Sequence, residues 1–287
     1  MNNGILIFAH NNTELDYVLM ALIAGGLAKK NLKVPVSLVT DESTINWTKK
    51  SRIHSRIKKT FDKIILVEKP VTNNYRNLRD GNESKKVPFV NSNRSTAYDL
   101  TPYENTLLID SDFLIFSDQL NNYWDLDYDL MIGKSMNDVI GNRAGVLDKH
   151  VSEIGPHMYW ATTVMFKKNN YTKLFFDLVS YIKEHYKHYA DLYRFDNRQY
   201  RNDIAFSIAK HILDGFEENT SGALPDITTI LDSDILYDVK KDGNLVFLVS
   251  DKSNPYDYFL SSIKNKDVHV LNKQSIIRNK SKLLDLI

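Results

Sequence analysis

The chain has 287 residues, 43% of them hydrophobic and 25% charged, and a formal net charge of +1. That is enough apolar material for a sizeable core, and too balanced a charge for the molecule as a whole to be a polyanion binder or an acidic buffer. There is no cysteine, which excludes disulfides, zinc–thiolate centres and cysteine nucleophiles and leads us to expect a reducing, cytoplasmic setting.

No basic flank precedes a long apolar run near Met1, and no window approaches about eighteen uninterrupted apolar residues, so neither a signal peptide nor a membrane span is expected. Gly4 to Ala9 reads as a short buried strand, broken by His10–Thr13, with Thr13 and Asp16 resembling a helix-opening box. Leu15 to Lys30 is apolar at helical spacing, Val34 to Val39 is a second strand ending at Thr40 and Asp41, a basic helix runs from about 43 to 60, and Lys63 to Val67 is a third strand. This alternation predicts an α/β fold with a mostly parallel, Rossmann-like central sheet flanked by helices, whose ligands collect at the carboxyl ends of the strands. Pro70 to Asn93 is long and polar, a mobile loop or a substrate-binding segment. Ser95 to Tyr103 looks helical. Strands are expected at 129–133 and 157–166, helices near 171–188 and 199–213, and a small antiparallel hairpin at 235–239 and 245–249. Asp267 to Lys273 and a final amphipathic helix close the chain. No linker justifies a domain cut, so 1–287 is read as one domain, with a nucleotide-binding half to about 116 and an acceptor half after it.

The stretch from Thr106 to Phe116 organises the rest. It is apolar except for Asp110, Ser111 and Asp112. On one extended strand, residues two apart point the same way, so both carboxylates would face one point and call for a divalent cation. The other arrangement ends the strand at Ile109 and leaves the aspartates in a solvated turn. The immediate return of Phe113–Phe116 to apolar character favours the metal-facing arrangement.

A nucleotide-binding parallel sheet followed by Asp-x-Asp resembles the GT-A glycosyltransferases, with motif order closest to the family 8 type. The resemblance implies that Phe8, Ala9, His10, Asn11 and Asn12, with Thr40 and Asp41, hold the base and ribose of a nucleoside-diphosphate sugar, uridine being the expected base. It implies that Arg94 faces the donor, that Asp110, Ser111 and Asp112 meet the diphosphate, and that Asp110 and Asp112 bind Mn2+ or Mg2+. His269, followed four residues later by Lys273, matches the late histidine that completes the metal shell and the lysine that meets the diphosphate. Asp203, in the run Arg201–Asp203, matches the acidic position near the transferred sugar; as a plain reading it could instead cap a helix. Ala161–Thr163 stands where the family has Asn-Ser/Ala-Gly, and Gln274 and Ser275 follow Lys273 in place of Pro-Trp, so a divergent GT-A branch is expected rather than family 8 proper.

The run Ile7–Asn12 with Asp16 and Tyr17, together with Val36–Asp41, also looks like a set of tailed-phage proteins, which makes a hydroxymethylpyrimidine in phage DNA the leading acceptor, ahead of a glycan or lipid-linked saccharide. Lys49, Lys50, Arg52, His54, Arg56, Lys58 and Lys59, with Arg194, Arg198 and Arg201, are the basic residues a DNA acceptor would use, and Tyr159 or Trp160 could receive a flipped base; a solvated face is the other reading of the basic helix. Arg76, Arg79, Lys85 and Lys86 would make the 72–93 segment a lid or a DNA-contacting loop. A nucleotidyltransferase would also use Asp-x-Asp, but would have a glycine-rich basic loop where His10–Thr13 stands. The oligomeric state is left open by the sequence.

Overall fold

The computed structural model describes residues 2–140, 150–196, 199–217, 222–251, 254 and 257–287. β1 (Asn3–Phe8), α1 (Tyr17–Leu32), β2 (Val36–Thr40), α2 (Glu42–Lys50), α3 (His54–Thr60) and β3 (Lys63–Leu66) open the fold. β1 pairs in parallel with β2, and β2 with β3. Both β1 and β2 are buried almost throughout, as strands covered on two faces must be, which is why they read as unbroken apolar runs. The cap of α1 is Asp16, which accepts from the Leu19 amide at 3.0 Å, rather than Thr13. α1 is buried nearly all round, because the sheet lies on one side and α3 and the C-terminal helices on the other. The single basic helix expected over 43–60 is two helices, broken at Ser51–Ile53 where Arg52 takes a left-handed φ of 63°.

The long polar stretch after β3 is not a loop throughout. It contains a hairpin of β4 (Tyr75–Asp80) and β5 (Glu83–Pro88). Its two-residue loop starts at Gly81 with φ +63°, a conformation glycine takes without a Cβ clash. The hairpin is tied down at both ends. At the tip, Asp80 pairs with Arg278 and accepts from Asn272 at 3.0 Å; at the base, the Tyr75 amide donates to Gln199 at 2.9 Å.

A 3-10 turn (Arg94–Thr96) and α4 (Ala97–Leu100) lead into β6 (Asn105–Ile109), which runs parallel to β1. The strand expected from 106 to 116 is not continuous. Asp110, Ser111 and Asp112 form a turn, closed by the Phe113 amide on the Asp110 carbonyl at 3.2 Å, and the chain resumes as β7 (Phe113–Leu114) in a different sheet. After β8 (Leu130–Gly133) and β9 (Met136–Asp138), β10 (Trp160–Lys167) runs antiparallel between β6 and β8. α5 (Asn170–Glu184) and α6 (Tyr186–Leu192) replace the one helix expected over 171–188, and α7 (Asn202–Leu213) follows. Phe166, Phe175, Phe176 and Phe206 interlock with ring centroids 4.8 to 5.9 Å apart, fixing α5 and α7 against β10.

β11 (Ala223–Leu224) completes a seven-stranded sheet of order β11-β8-β10-β6-β1-β2-β3, in which β10 alone runs against its neighbours. β12 (Ile227–Ile230), β13 (Ile235–Val239), β14 (Leu245–Ser250), β15 (Tyr258–Ile263) and β16 (Val268–Val270) precede α8 (Lys273–Arg278) and α9 (Lys280–Leu284). The expected hairpin is β13–β14, joined by β15 as a third strand, and β7-β16-β12-β9 forms a four-stranded sheet. Among the described residues, no helix is long and apolar enough to cross a membrane.

Candidate active site

The turn from Asp110 to Asp112 lies where the chain leaves the seven-stranded sheet for the four-stranded one. Each side of the turn is held by the sheet it borders: the Asp110 amide donates to the Thr162 carbonyl of β10 at 3.0 Å, and the Val270 amide of β16 donates to the Asp112 carbonyl at 3.0 Å. β16 pairs with β7 so that His269 stands opposite Phe113, beside Asp112. The His269 Nε2 is therefore 3.4 Å from an Asp112 oxygen and 3.9 Å from an Asp110 oxygen. One ligand atom from each of the three lies within 4.8 Å of the others. His269 Nδ1 is 3.4 Å from the Thr162 hydroxyl, so the ring's other nitrogen is the one turned to the carboxylates. Two carboxylates and an imidazole, converging from two sheets, fit a hard or borderline divalent cation.

Two cations flank the triad. Lys273, at the first position of α8, sets its Nζ 2.6 Å from Asp112, and Arg94 sets Nη1 2.6 Å from Asp110. Burial pushes the Asp112 carboxyl up, but Lys273 and then His269 outweigh it and hold it well below the usual carboxylate range. At Asp110 burial wins over Arg94, and the nearby Asp112 charge adds to it, so that carboxyl is raised. Burial pulls Lys273 down, but Asp112, Tyr17 and Asp110 together outweigh it, so its ammonium titrates above its ordinary value. Arg94 is 3% exposed, and its Nε and Nη2 have no hydrogen-bond partner among the described residues. Buried donors left unmatched in this way are expensive unless a ligand supplies acceptors.

These groups open into a cavity of about 260 Å³. Phe8, Arg94, Asp110, Ser111, Asp112, Asp203, His269 and Lys273, all anticipated from the sequence, line it. Asp203 does not cap α7; the cap position is Arg201. Asp203 accepts instead from the Ala161 amide at 3.0 Å and from Arg201 at 3.3 Å, tying α7 to β10. Phe89, Asn91, Thr162 and Asn202 also line the cavity and had no role in the sequence reading. Arg76, Trp160 and Arg201, weighed in the sequence for a DNA acceptor, line it as well.

Ala9, His10, Thr40 and Asp41 are not brought to this cavity. Asn11 and Asn12 face a neighbouring depression with Trp47. His10 is fully buried and donates to Asp41 at 2.9 Å, and its backbone is clasped by Asn91, whose side chain accepts from the His10 amide at 2.7 Å and donates to its carbonyl at 3.1 Å. Asp41 caps α2, accepting from the Thr44 amide at 2.9 Å and hydroxyl at 2.7 Å, and from Ser43. Burial alone would raise Asp41, but these hydroxyl bonds and His10 hold it well below the usual range. A depressed folded value means the stabilisation is present above the unfolded pKa and is lost as pH falls through the folded one. Asp41→Asn should therefore cost about 2 kcal/mol at pH 7, measured by urea unfolding, and the gap to the natural protein should narrow below about pH 4.

The basic segment sits elsewhere. α3 ends at Thr60 just before β3 begins, at the rim where the parallel strands start, whereas Asp110 to Asp112 follow the rim where they end. Lys29, Lys30, Arg56 and Lys59 line a separate cleft beside α9. Tyr159 is buried, with its amide on Ser207 at 2.7 Å, and Arg198 lies outside the described residues.

No protein-family model matches the chain, and no curated protein matches it. Among solved structures it is similar to the glycosyltransferase GlyE of Streptococcus pneumoniae TIGR4, at 13% identity and a TM-score of 0.43 over 78% of this chain and 45% of that one. It is similar to the galactosyltransferase LgtC in complex with donor and acceptor sugar analogues, at 14% identity and a TM-score of 0.43 over 78% and 73% of the two chains. A third likeness is to TarS of S. aureus, at 16% identity and a TM-score of 0.34 over 73% of this chain and 55% of that one. The chain thus spans less than half the length of GlyE.

Proposed function

We propose that the protein is a metal-dependent glycosyltransferase that moves a sugar from a nucleoside-diphosphate sugar, with uridine as the expected base, to an acceptor hydroxyl. The observation that carries this reading is the convergence of Asp110, Asp112 and His269 on one point, with Lys273 at 2.6 Å from Asp112. In this reading Asp110, Asp112 and His269 hold Mn2+ or Mg2+. When bound, the ion neutralises charge that grows on the diphosphate as it leaves. Lys273 adds a second positive charge on that side, and the unmatched Arg94 donors supply further hydrogen bonds to donor oxygens. Asp203 orients a hydroxyl of the sugar or acceptor across the cavity. We read residues 1–287 as one domain, because a single apolar core runs from β1 through β14 and α8.

For the acceptor, a saccharide hydroxyl fits better than a base in duplex DNA. Of the lysines and arginines of α2 and α3 that would grip a duplex, Arg56 and Lys59 line a cleft apart from the cavity. The test is release of nucleoside diphosphate from a panel of nucleotide sugars with manganese, with and without chelator. Release from one donor, abolished by chelator, is expected; absence of both release and manganese-dependent nucleotide binding would end the reading.

A further inference from the structure

Among the described residues, the charged side chains of Arg94, Asp110, Asp112, Arg201, Asp203 and Lys273 that line the cavity pair off, and Arg76 does not. Arg94 meets Asp110 at 2.6 Å, Lys273 meets Asp112 at 2.6 Å, and Arg201 meets Asp203 at 3.3 Å. The remaining cation is Arg76. It projects from the inward face of β4, where Arg76, Leu78 and Asp80 alternate with exposed neighbours. Its guanidinium lies 3.6 Å from the centroid of the Phe89 ring, and among the described residues it makes neither an ion pair nor a hydrogen bond. Stacking on Phe89 fixes the plane of the fork and leaves its N–H groups directed away from the ring.

Charge balance then singles Arg76 out. A divalent ion and a diphosphate with two negative charges compensate each other, and the three pairs compensate themselves, so Arg76 is still unmatched with donor and metal in place. The charged groups acting most strongly on it are Arg201 and Asp203, at the α7 end, ahead of Asp110 at the metal end. Asn202 is buried and lines the same cavity, and among the described residues its side-chain oxygen has no hydrogen-bond partner. Together these make a polar end suited to a sugar that carries an acid as well as hydroxyls.

We propose that the substrate bears a carboxylate in addition to the diphosphate, and that Arg76 on the β4–β5 hairpin is the group that recognises it. This rests on the reading of the site as a nucleotide-sugar site. A carboxylate matches the planar guanidinium two bonds at a time, and it belongs either to the transferred sugar, as in a uronic acid, or to the acceptor.

Calorimetry with manganese and UDP comes first; no binding there sinks the underlying reading of the site and leaves no role for Arg76. With binding established, UDP-glucuronic acid is compared with UDP-glucose for affinity and diphosphate release, and phenyl glucuronide with phenyl glucoside as acceptors for the best donor. A preference of at least about tenfold for the acid in one arm is expected, and the arm names the source. In Arg76→Met that ratio should collapse toward one, and in Arg76→Lys it should be partly kept. No acid preference in either arm of the natural protein overturns the proposal, as does a preference that survives Arg76→Met unchanged.

Discussion

Asp112→Asn is expected to lower metal-dependent release of nucleoside diphosphate by on the order of a hundred- to a thousandfold, the scale of removing one preorganised electrostatic contact from a water-poor site. The substitution keeps the shape of the side chain, removes its charge and turns one acceptor oxygen into an N–H donor. Asp112 is 3% exposed and is the member of the triad closest to both His269 and Lys273. Its replacement takes away a ligand charge and leaves Lys273 without its anion, so the manganese concentration for half activity should rise together with the fall in rate. Asp110→Asn should do less, about tenfold, because that carboxylate is a third exposed and shares itself with Arg94. A manganese titration of diphosphate release for both variants, with circular dichroism to confirm folding, gives the comparison. Equal manganese half-saturation in Asp112→Asn and the natural protein would remove Asp112 from the metal site.

The central sheet was legible because most of its strands are buried on both faces and bounded by polar turns. β1, β2, β3 and β8 fall within two residues of where apolar runs put them, whereas β6 starts where expected but ends at Ile109, short of Phe116. The metal-facing pair was legible for a partly different reason. Asp110 and Asp112 do converge, yet by a turn between two sheets and not by alternation along one strand. Apolar residues on both sides of the pair report burial, which a turn at a seam satisfies as well as a strand does. His269 was reached only through the resemblance to GT-A enzymes, which places a late histidine just before a lysine, because a lone histidine in a short strand carries no mark of what it faces; the pairing of β16 with β7 decides that.

The hairpin was missed because its strands are polar. Only one face of β4 is covered, by Arg76, Leu78 and Asp80, so the hydrophobic alternation that usually marks a strand is present once in three inward positions. The Gly81–Asn82 loop was the usable sign. Likewise His10 and Asp41 look like ligand-binding residues in sequence, being polar at the ends of apolar strands. In the fold they satisfy each other, with Thr44 and Asn91, and serve to fix the path of the chain beneath the cavity. A polar residue at a strand end has two outlets, a ligand or a helix cap, and only long-range contacts such as Asn91 on His10 separate them.

Lys273→Met should split metal binding from turnover. Lys273 lies 2.6 Å from Asp112, so a metal ion and the ammonium would compete for one buried carboxylate. Methionine keeps much of the stem's packing beside Tyr17 and Leu271 and removes the competitor. Manganese should then bind the nucleotide-free variant several-fold more tightly, because Asp112 is released from its strongest partner. Turnover should move the other way, down by about a hundredfold, because the leaving diphosphate loses a positive charge that its developing negative charge needs in the transition state. A residue that only positioned Asp112 would lose metal affinity and rate together when removed. Manganese affinity by calorimetry, set against the rate of diphosphate release at saturating manganese, separates the two. A rate within about twofold of the natural protein would reduce Lys273 to a counter-ion for Asp112 and leave the metal and Arg94 as the groups facing the diphosphate.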